Sequence, residues 1–233
     1  MIPVVLFMVG IALIAGWWLS RQRLSAKPWL EEGLITELRD DRLPSVPAKV
    51  GLGVFLAVAG SLFALLTSAY VMRMDVSDWR AVPIPPLLWF NTAVLIVSSV
   101  ALQIAQIAAR RGDRDGATTA LLAGGVSAVI FLVGQLLVWL QLRSAGYFLA
   151  SNPANAFFYL ITGVHGLHLF GGLVALGRTI GRAFHGLALS RLQQSVELCA
   201  TYWHFLLLVW VILLGLLTGS ASDFLQICRQ ILG

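Results

Sequence analysis

Hydrophobic and polar positions along this chain fall in long blocks. Apolar runs lie near 2–20, 49–72, 86–109, 118–141, 156–177 and 198–219, with short polar stretches between them. A helix needs about 20 apolar residues to cross a bilayer. The pattern therefore predicts an all-α fold: a polytopic transmembrane helix bundle of about six spans. The expected organisation is an extra N-terminal transmembrane helix over 1–20, a linker over 21–48, a five-helix bundle over 49–219 and a tail over 220–233. In the linker, Leu30, Leu34, Ile35 and Leu38 recur at helical spacing. Part of it is thus either a short interfacial helix or a solvated loop. Pro44 and Pro47 are expected to stop any helix before the second span, and Pro85 and Pro86 to start the third, where a missing N–H costs little. Arg110, Arg111, Asp113, Arg114 and Asp115 predict a tight charged turn, and Gly146 to Asn155 an uncharged loop. Trp79 and Trp89 sit where interfacial anchors belong.

Composition strengthens this picture. Of the 233 residues, 58% are apolar and 12% charged, and the mean hydropathy is +0.85. Soluble domains carry about a quarter charged residues, so lipid is the expected solvent for most of this surface. The net charge of +5 does not point to nucleic acid, because the basic residues cluster at the ends of the apolar runs. One set of loops holds Arg21, Arg23, Lys27, Arg39, Arg42, Lys49, Arg110, Arg111, Arg114, Arg178, Arg182 and Arg191. The other holds Arg73, Arg80, Arg143 and Arg229. Positive charge stays inside, which predicts both termini on the outer (periplasmic) side. The first run follows Met1 without a basic stretch or a clear cleavage site, so a retained helix is expected rather than a signal peptide. Cys199 and Cys228 lack metal-ligand spacing, and Cys199 reads as a small packing residue.

Ionisable groups inside spans are the default place to look for function. The middle parts of the second, third and fourth spans contain none. This argues against an ion pathway through the chain and leaves no carboxylate pair for acid–base work. The exceptions are His165, His168 and His204. His165 and His168 share a helix face, and Gly163, Gly166, Gly171 and Gly172 on the same helix are expected to admit a close neighbour, Gly166 above all. Two readings of the histidines stand. One is a small haem-b protein, with His168 and His204 as the two axial ligands. The other is a set of neutral histidines bonded across helices to Tyr159, Thr162, Gln135 or each other. A transporter gains nothing from the sequence, which shows no internal repeat. Arg178, Arg182 and His185 close the fifth span and are candidates to hold a lipid phosphate; positive-inside bias explains them equally.

Two stretches carry a resemblance when taken together: FFYLITGVHGLHLFGG (Phe157 to Gly172), and Glu197 followed by YWHF (Tyr202 to Phe205) with Trp210. SAY (Ser68 to Tyr70), PLLWFNT (Pro86 to Thr92) and WLQLRSAG (Trp139 to Gly146) add to them. In these residues the chain resembles subunit III of the haem-copper oxidases, the cytochrome c oxidase type most closely, over about 49–219. The resemblance implies a non-catalytic accessory subunit of a proton-pumping terminal oxidase, in a bacterial inner membrane. It implies no redox centre in the chain itself, with haem and copper in partner subunits I and II. It implies stabilisation of subunit I, phospholipid bound in a cleft between helices, and support of proton uptake. The motif positions are His165, His168, Glu197, Trp203, His204 and Trp210, and Arg178 matches a lipid-associated arginine.

The chain departs from the family pattern at several points. Typical members have seven spans and the quinol-oxidase branch often five, so the helix before the shared five is unusual. Ala59 and Val138 stand where many members carry an acid, and Leu206 and Leu207 follow the WHF motif where another is common. A quinol oxidase or nitric oxide reductase accessory subunit therefore stays open beside the cytochrome c oxidase reading.

Overall fold

The computed structural model describes residues 46–74, 76–184 and 189–218. Five helices make up this region: α1 (Val46–Met74), α2 (Leu87–Arg110), α3 (Arg114–Ser144), α4 (Pro153–Phe184) and α5 (Leu189–Leu217). All five are long and apolar enough to cross a membrane, and among the described residues there is no strand. The first apolar run, the 21–45 part of the linker, His185, Cys228 and the tail beyond Thr218 lie outside the described residues.

Local chemistry sets the helix ends. Pro86 occupies the N-cap of α2, in line with the sequence. Pro47 differs from expectation: it lies in the first turn of α1 instead of ahead of it. First-turn N–H groups have no intrahelical partner, so a proline there removes no bond. Gly112 closes α2 and Gly146 follows α3, with φ of 81° and 88°. Gly112 and Asp113 donate to Ala109 and Ala108; Gly146 and Tyr147 donate to Arg143 and Leu142. Both are Schellman closures, which favour glycine at the left-handed position. Asp113 then caps α3 by accepting from the Gly116 N–H at 2.9 Å. The loop expected over Gly146 to Asn155 is shorter in fact, because α4 starts at Pro153. Asn152 accepts from the Ala154 N–H at 3.1 Å, and this cap with a proline behind it begins the helix early.

The helices run alternately up and down. Lys49, Arg110, Arg114, Arg178, Arg182 and Arg191 gather at one end, and Arg73, Arg80 and Arg143 at the other. The α2–α3 hairpin is packed closely. A Cβ on Gly124 would stand 3.1 Å from Leu102, and Ser98 donates to the Gly124 carbonyl at 2.8 Å. Small residues permit such approach in lipid, where backbone proximity and hydrogen bonds replace hydrophobic drive. α5 lies against α2, α4 against α3 and α5, and α1 against α5 and α4. Leu95, Leu102, Phe131, Phe158, Leu169, Trp203 and Trp210 are fully buried between them. Outward positions are also apolar, Val97 and Val100 on α2, Val133 and Leu137 on α3, Leu208 and Ile212 on α5, as a lipid-facing surface requires.

Candidate functional site

The motif residues separate into a sealed core and an open cleft. In the core, two tryptophans one heptad apart on α5 reach α2. Trp203 donates to Ser98 Oγ at 2.9 Å and Trp210 to Thr92 Oγ1 at 3.0 Å. Both indoles are buried completely, so each N–H finds the partner that burial demands. His165 is also buried completely. Its ring lies 4.9 Å from that of Trp210, 6.0 Å from Phe131 and 6.2 Å from Phe63. It makes no hydrogen bond to any described residue, and neither does the side chain of Asn91 or Gln135.

Of the expected partners of the histidines, Tyr159 and Thr162 are engaged elsewhere, and Gln135 bonds to no described residue. Tyr159 donates to the Tyr147 carbonyl at 2.9 Å, and Thr162 takes the Trp139 indole N–H at 3.1 Å. His204 does bond across helices. Its Nδ1 lies 2.6 Å from Ser99 Oγ and its Nε2 2.9 Å from Gln103 Oε1. His168 turns the other way, toward Phe63 at 5.3 Å and Phe55 at 6.2 Å on α1, with Nδ1 at 2.8 Å from the Val164 carbonyl. The geometry thus gives no support to a haem held between His168 and His204: they face different helices, and both nitrogens of His204 are occupied. Among the described residues no group of three or more His, Cys, Asp or Glu is placed to hold a metal ion.

The cleft opens between α1, α4 and α5 and encloses about 470 Å³. Leu52 and Phe55 form one wall, Leu167, His168, Gly171 and Ala175 another, and Leu198, Cys199 and Tyr202 the third. Two of its polar groups, the Tyr202 hydroxyl and the Cys199 thiol, are bonded within the bundle. Tyr202 donates to the His168 carbonyl at 2.8 Å, and Cys199 Sγ lies 3.6 Å from Thr179 Oγ1. Apart from the His168 imidazole, what remains on the walls is mostly hydrocarbon and ring faces. Gly172 lets α5 close against α4, since a Cβ there would stand 2.6 Å from Tyr202 and 2.8 Å from Trp203. Gly163 also has a close neighbour, as expected, but the expectation for Gly166 and Gly171 needs correction. Gly166 would meet only Leu132 at an ordinary 3.7 Å, Gly163 meets Trp139 at 3.3 Å, and Gly171 meets nothing because it faces the cleft.

The basic end of the cleft carries its charges. Glu197 is paired with Lys49 at 2.9 Å, beside Leu52 and Leu198, which also line the cleft. His168, Gly171, Ala175, Arg178 and Arg182 recur at spacings of three and four along α4, which puts them in one stripe. Both arginines are exposed. That Lys49 meets Glu197 and Phe55 meets Tyr202 is not legible in the sequence, because it depends on the register of α1 against α5. The positions that depart from the family pattern are also placed: Ala59, Val138 and Leu206 are buried and Leu207 is half-buried. Each of the three buried positions is thus filled by an apolar side chain inside the bundle. An unpaired acid at such a position would carry a large desolvation penalty.

An all-helical, multi-pass membrane bundle with an uncharged interior and an apolar cleft defines the class of protein. The family model for cytochrome c oxidase subunit III matches residues 57–217. The cytochrome c oxidase subunit 3 of Thermostichus vulcanus is 31% identical over 173 residues, covering 72% of this chain and 85% of that protein. The probable cytochrome c oxidase subunit 3 of Mycobacterium tuberculosis (strain H37Rv) is 29% identical over 187 residues, covering 77% and 89%. That of Synechocystis sp. is 30% identical over 169 residues, covering 70% and 71%. The chain belongs to the cytochrome c oxidase subunit III family.

Proposed function

We propose that this chain is the lipid-binding accessory subunit of a haem-copper terminal oxidase. It lies in a bacterial inner membrane, with its basic helix ends on the cytoplasmic side and both termini outside. It carries no redox centre of its own; haem and copper sit in subunits I and II, and subunit I is stabilised by the contact. The observation that carries the lipid reading is the cleft, hydrocarbon-lined along α4 and continued by Arg178 and Arg182 at its basic end. Acyl chains match such walls, and a phosphate matches guanidinium groups at the membrane surface. His165, Trp203 and Trp210 hold α2, α4 and α5 together behind the cleft, and Glu197 with Lys49 sets α1 at its mouth.

The test is purification of the tagged chain in mild detergent, with proteins and phospholipids identified by mass spectrometry. A multi-histidine oxidase subunit, a copper-type subunit II and bound phospholipid are expected. The double change Arg178→Ala, Arg182→Ala is expected to lower the phospholipid content while oxidase spectra stay intact. Recovery of the chain alone overturns the subunit reading, and unchanged phospholipid overturns the lipid reading. The apolar residues at Ala59 and Val138 keep a second branch in view, an accessory subunit of a quinol oxidase or nitric oxide reductase. The identity of the co-purifying core separates it from the first.

A further inference from the structure

Exposed polar side chains within the described spans mostly satisfy themselves. Ser61 and Thr201 each donate back to a carbonyl one turn earlier on their own helix. One place differs. His204 lies midway along α5, with roughly 20 Å of helix on either side of it before Arg191 and before Leu217. It is exposed on the bundle surface, and so is Gln103. Gln103 Oε1 accepts only, so His204 donates from Nε2 (2.9 Å) and accepts at Nδ1 from the Ser99 hydroxyl (2.6 Å). This chain of bonds ends on the Gln103 carboxamide N–H2, for which no acceptor stands among the described residues. Around it the surface is apolar: Val100 and Ile104 on α2, Leu208 and Val211 on α5. A carboxamide donor in hydrocarbon is costly. An acyl chain offers it no acceptor, whereas a neighbouring transmembrane helix with a polar side chain does.

We infer that the face formed by Val100, Gln103, His204 and Leu208 is the surface on which a transmembrane helix of the oxidase core docks. That helix presents an acceptor to Gln103: a carboxylate, a carboxamide oxygen or a hydroxyl. The inference rests on the reading of the chain as an oxidase subunit and adds which face makes the contact and by what chemistry. The cleft between α1 and α4 is left free for lipid.

The test is photo-crosslinking in native membranes, with a benzophenone amino acid at Val100 or Leu208 and, as a control, at Val133 on α3. Adducts from the first two positions are expected to contain a core-subunit transmembrane peptide with an acidic, amide or hydroxyl residue within one turn of the crosslink. Adducts from Val133 are not. Gln103→Leu, an outward-facing change, is expected to cut the Val100 adduct at least tenfold, with the folded yield of the chain measured in parallel. Gln103→Met, which keeps the side-chain length and has no donor, should do the same. Adducts with lipid only, with residues 1–45 of this chain, with a second copy, or with a core helix lacking an acceptor overturn the inference, as does an undiminished yield in both variants. If the core co-purifies but these adducts do not reach it, this face alone is wrong. If no core co-purifies, the subunit reading falls and the docking face with it.

Discussion

α1 and α5 have the same length, 29 residues each, and both are apolar enough to span. Yet only 11% of the spanning part of α1 is buried in the bundle, against 50% for α5. Hydrophobicity alone therefore separates neither their positions nor their roles. The difference lies in what interrupts the apolar run. α5 carries two indoles at positions 203 and 210 that find hydroxyls on α2. α1 offers aromatic faces instead: Phe55 to Tyr202 at 5.9 Å, and Tyr70 to Trp79 and Phe157 at 4.9 and 5.8 Å. Directional hydrogen bonds fix α5 in the core, whereas ring contacts and an exposed ion pair leave α1 standing off, with the cleft beside it.

The largest effect should come from removing the close approach that seats α5. Gly172→Leu drives a side chain into Tyr202 and Trp203, and overpacking of this kind costs about 3 kcal/mol. Gly166→Leu, with Leu132 at an ordinary distance, should stay within about 1 kcal/mol. Denaturant titration of the purified chain in detergent micelles checks both. Equal losses would remove the claim that Gly172, rather than Gly166, is the contact glycine. Next in size are Trp203→Phe and Trp210→Phe. Each deletes an interhelical hydrogen bond, at about 1 kcal/mol, while the Ser98 and Thr92 hydroxyls keep their own donations to the Gly124 and Leu88 carbonyls. Phe55→Leu on α1 is the matched control, and a loss as large as that of Trp203→Phe would break the distinction between the two helices.

The same contrast explains what could be read in the sequence. All five described spans, the charged turn at Gly112 and the helix start at Pro86 follow from run length and turn chemistry, both local properties. The bundle's interior does not. Trp203 meets Ser98 and Lys49 meets Glu197 across 105 and 148 residues, through registers that apolar spacing leaves undefined. The histidines show the same limit. The i, i+3 spacing of His165 and His168 puts them on one helix face, and both rings do reach Phe63, at 6.2 and 5.3 Å. Which of them is sealed between Phe131 and Trp210, and which looks toward α1, depends on the rotation of α4. Residues 2–20 read as a further span, and that expectation lies outside the described residues.

A smaller effect is expected where α1 meets α5 at the basic end. The Lys49–Glu197 pair is about half exposed on the lysine side, and such pairs contribute under about 1 kcal/mol. Lys49→Ala should leave the unfolding of the bundle almost unchanged. Its effect should appear in the cleft, as a broader distance distribution between spin labels at Val54 and Val174, measured by pulsed EPR. An unchanged distribution would mean that the aromatic contacts alone position α1.

The smallest effect lies at the other end of α1. Arg73, in its last turn, donates to Asp78 at 2.6 Å, and this hydrogen bond, reinforced by the guanidinium charge, holds the Asp78 carboxyl below its ordinary value of 3.8. A lowered folded-state pKa means that the pair's stabilisation is fully present above the ordinary value and is lost as pH falls through the lowered one. Nothing should therefore change near pH 7, where solvent and salt screen an exposed pair, and the acid response should begin below about pH 4. Asp78→Asn should be slightly less stable than the parent chain at neutral pH, by an amount that solvent screening keeps small, and should lack the acid-dependent step, so that the two converge at pH 3; NMR of the labelled Asp78 carboxyl in the parent chain and melting of both chains in detergent at pH 3 and pH 7 check this. A step that persists in the variant would assign the acid response to another carboxylate. The Trp203–Ser98 and Trp210–Thr92 bonds between α5 and α2 hold no titratable group, so the same pH change should leave these two bonds untouched.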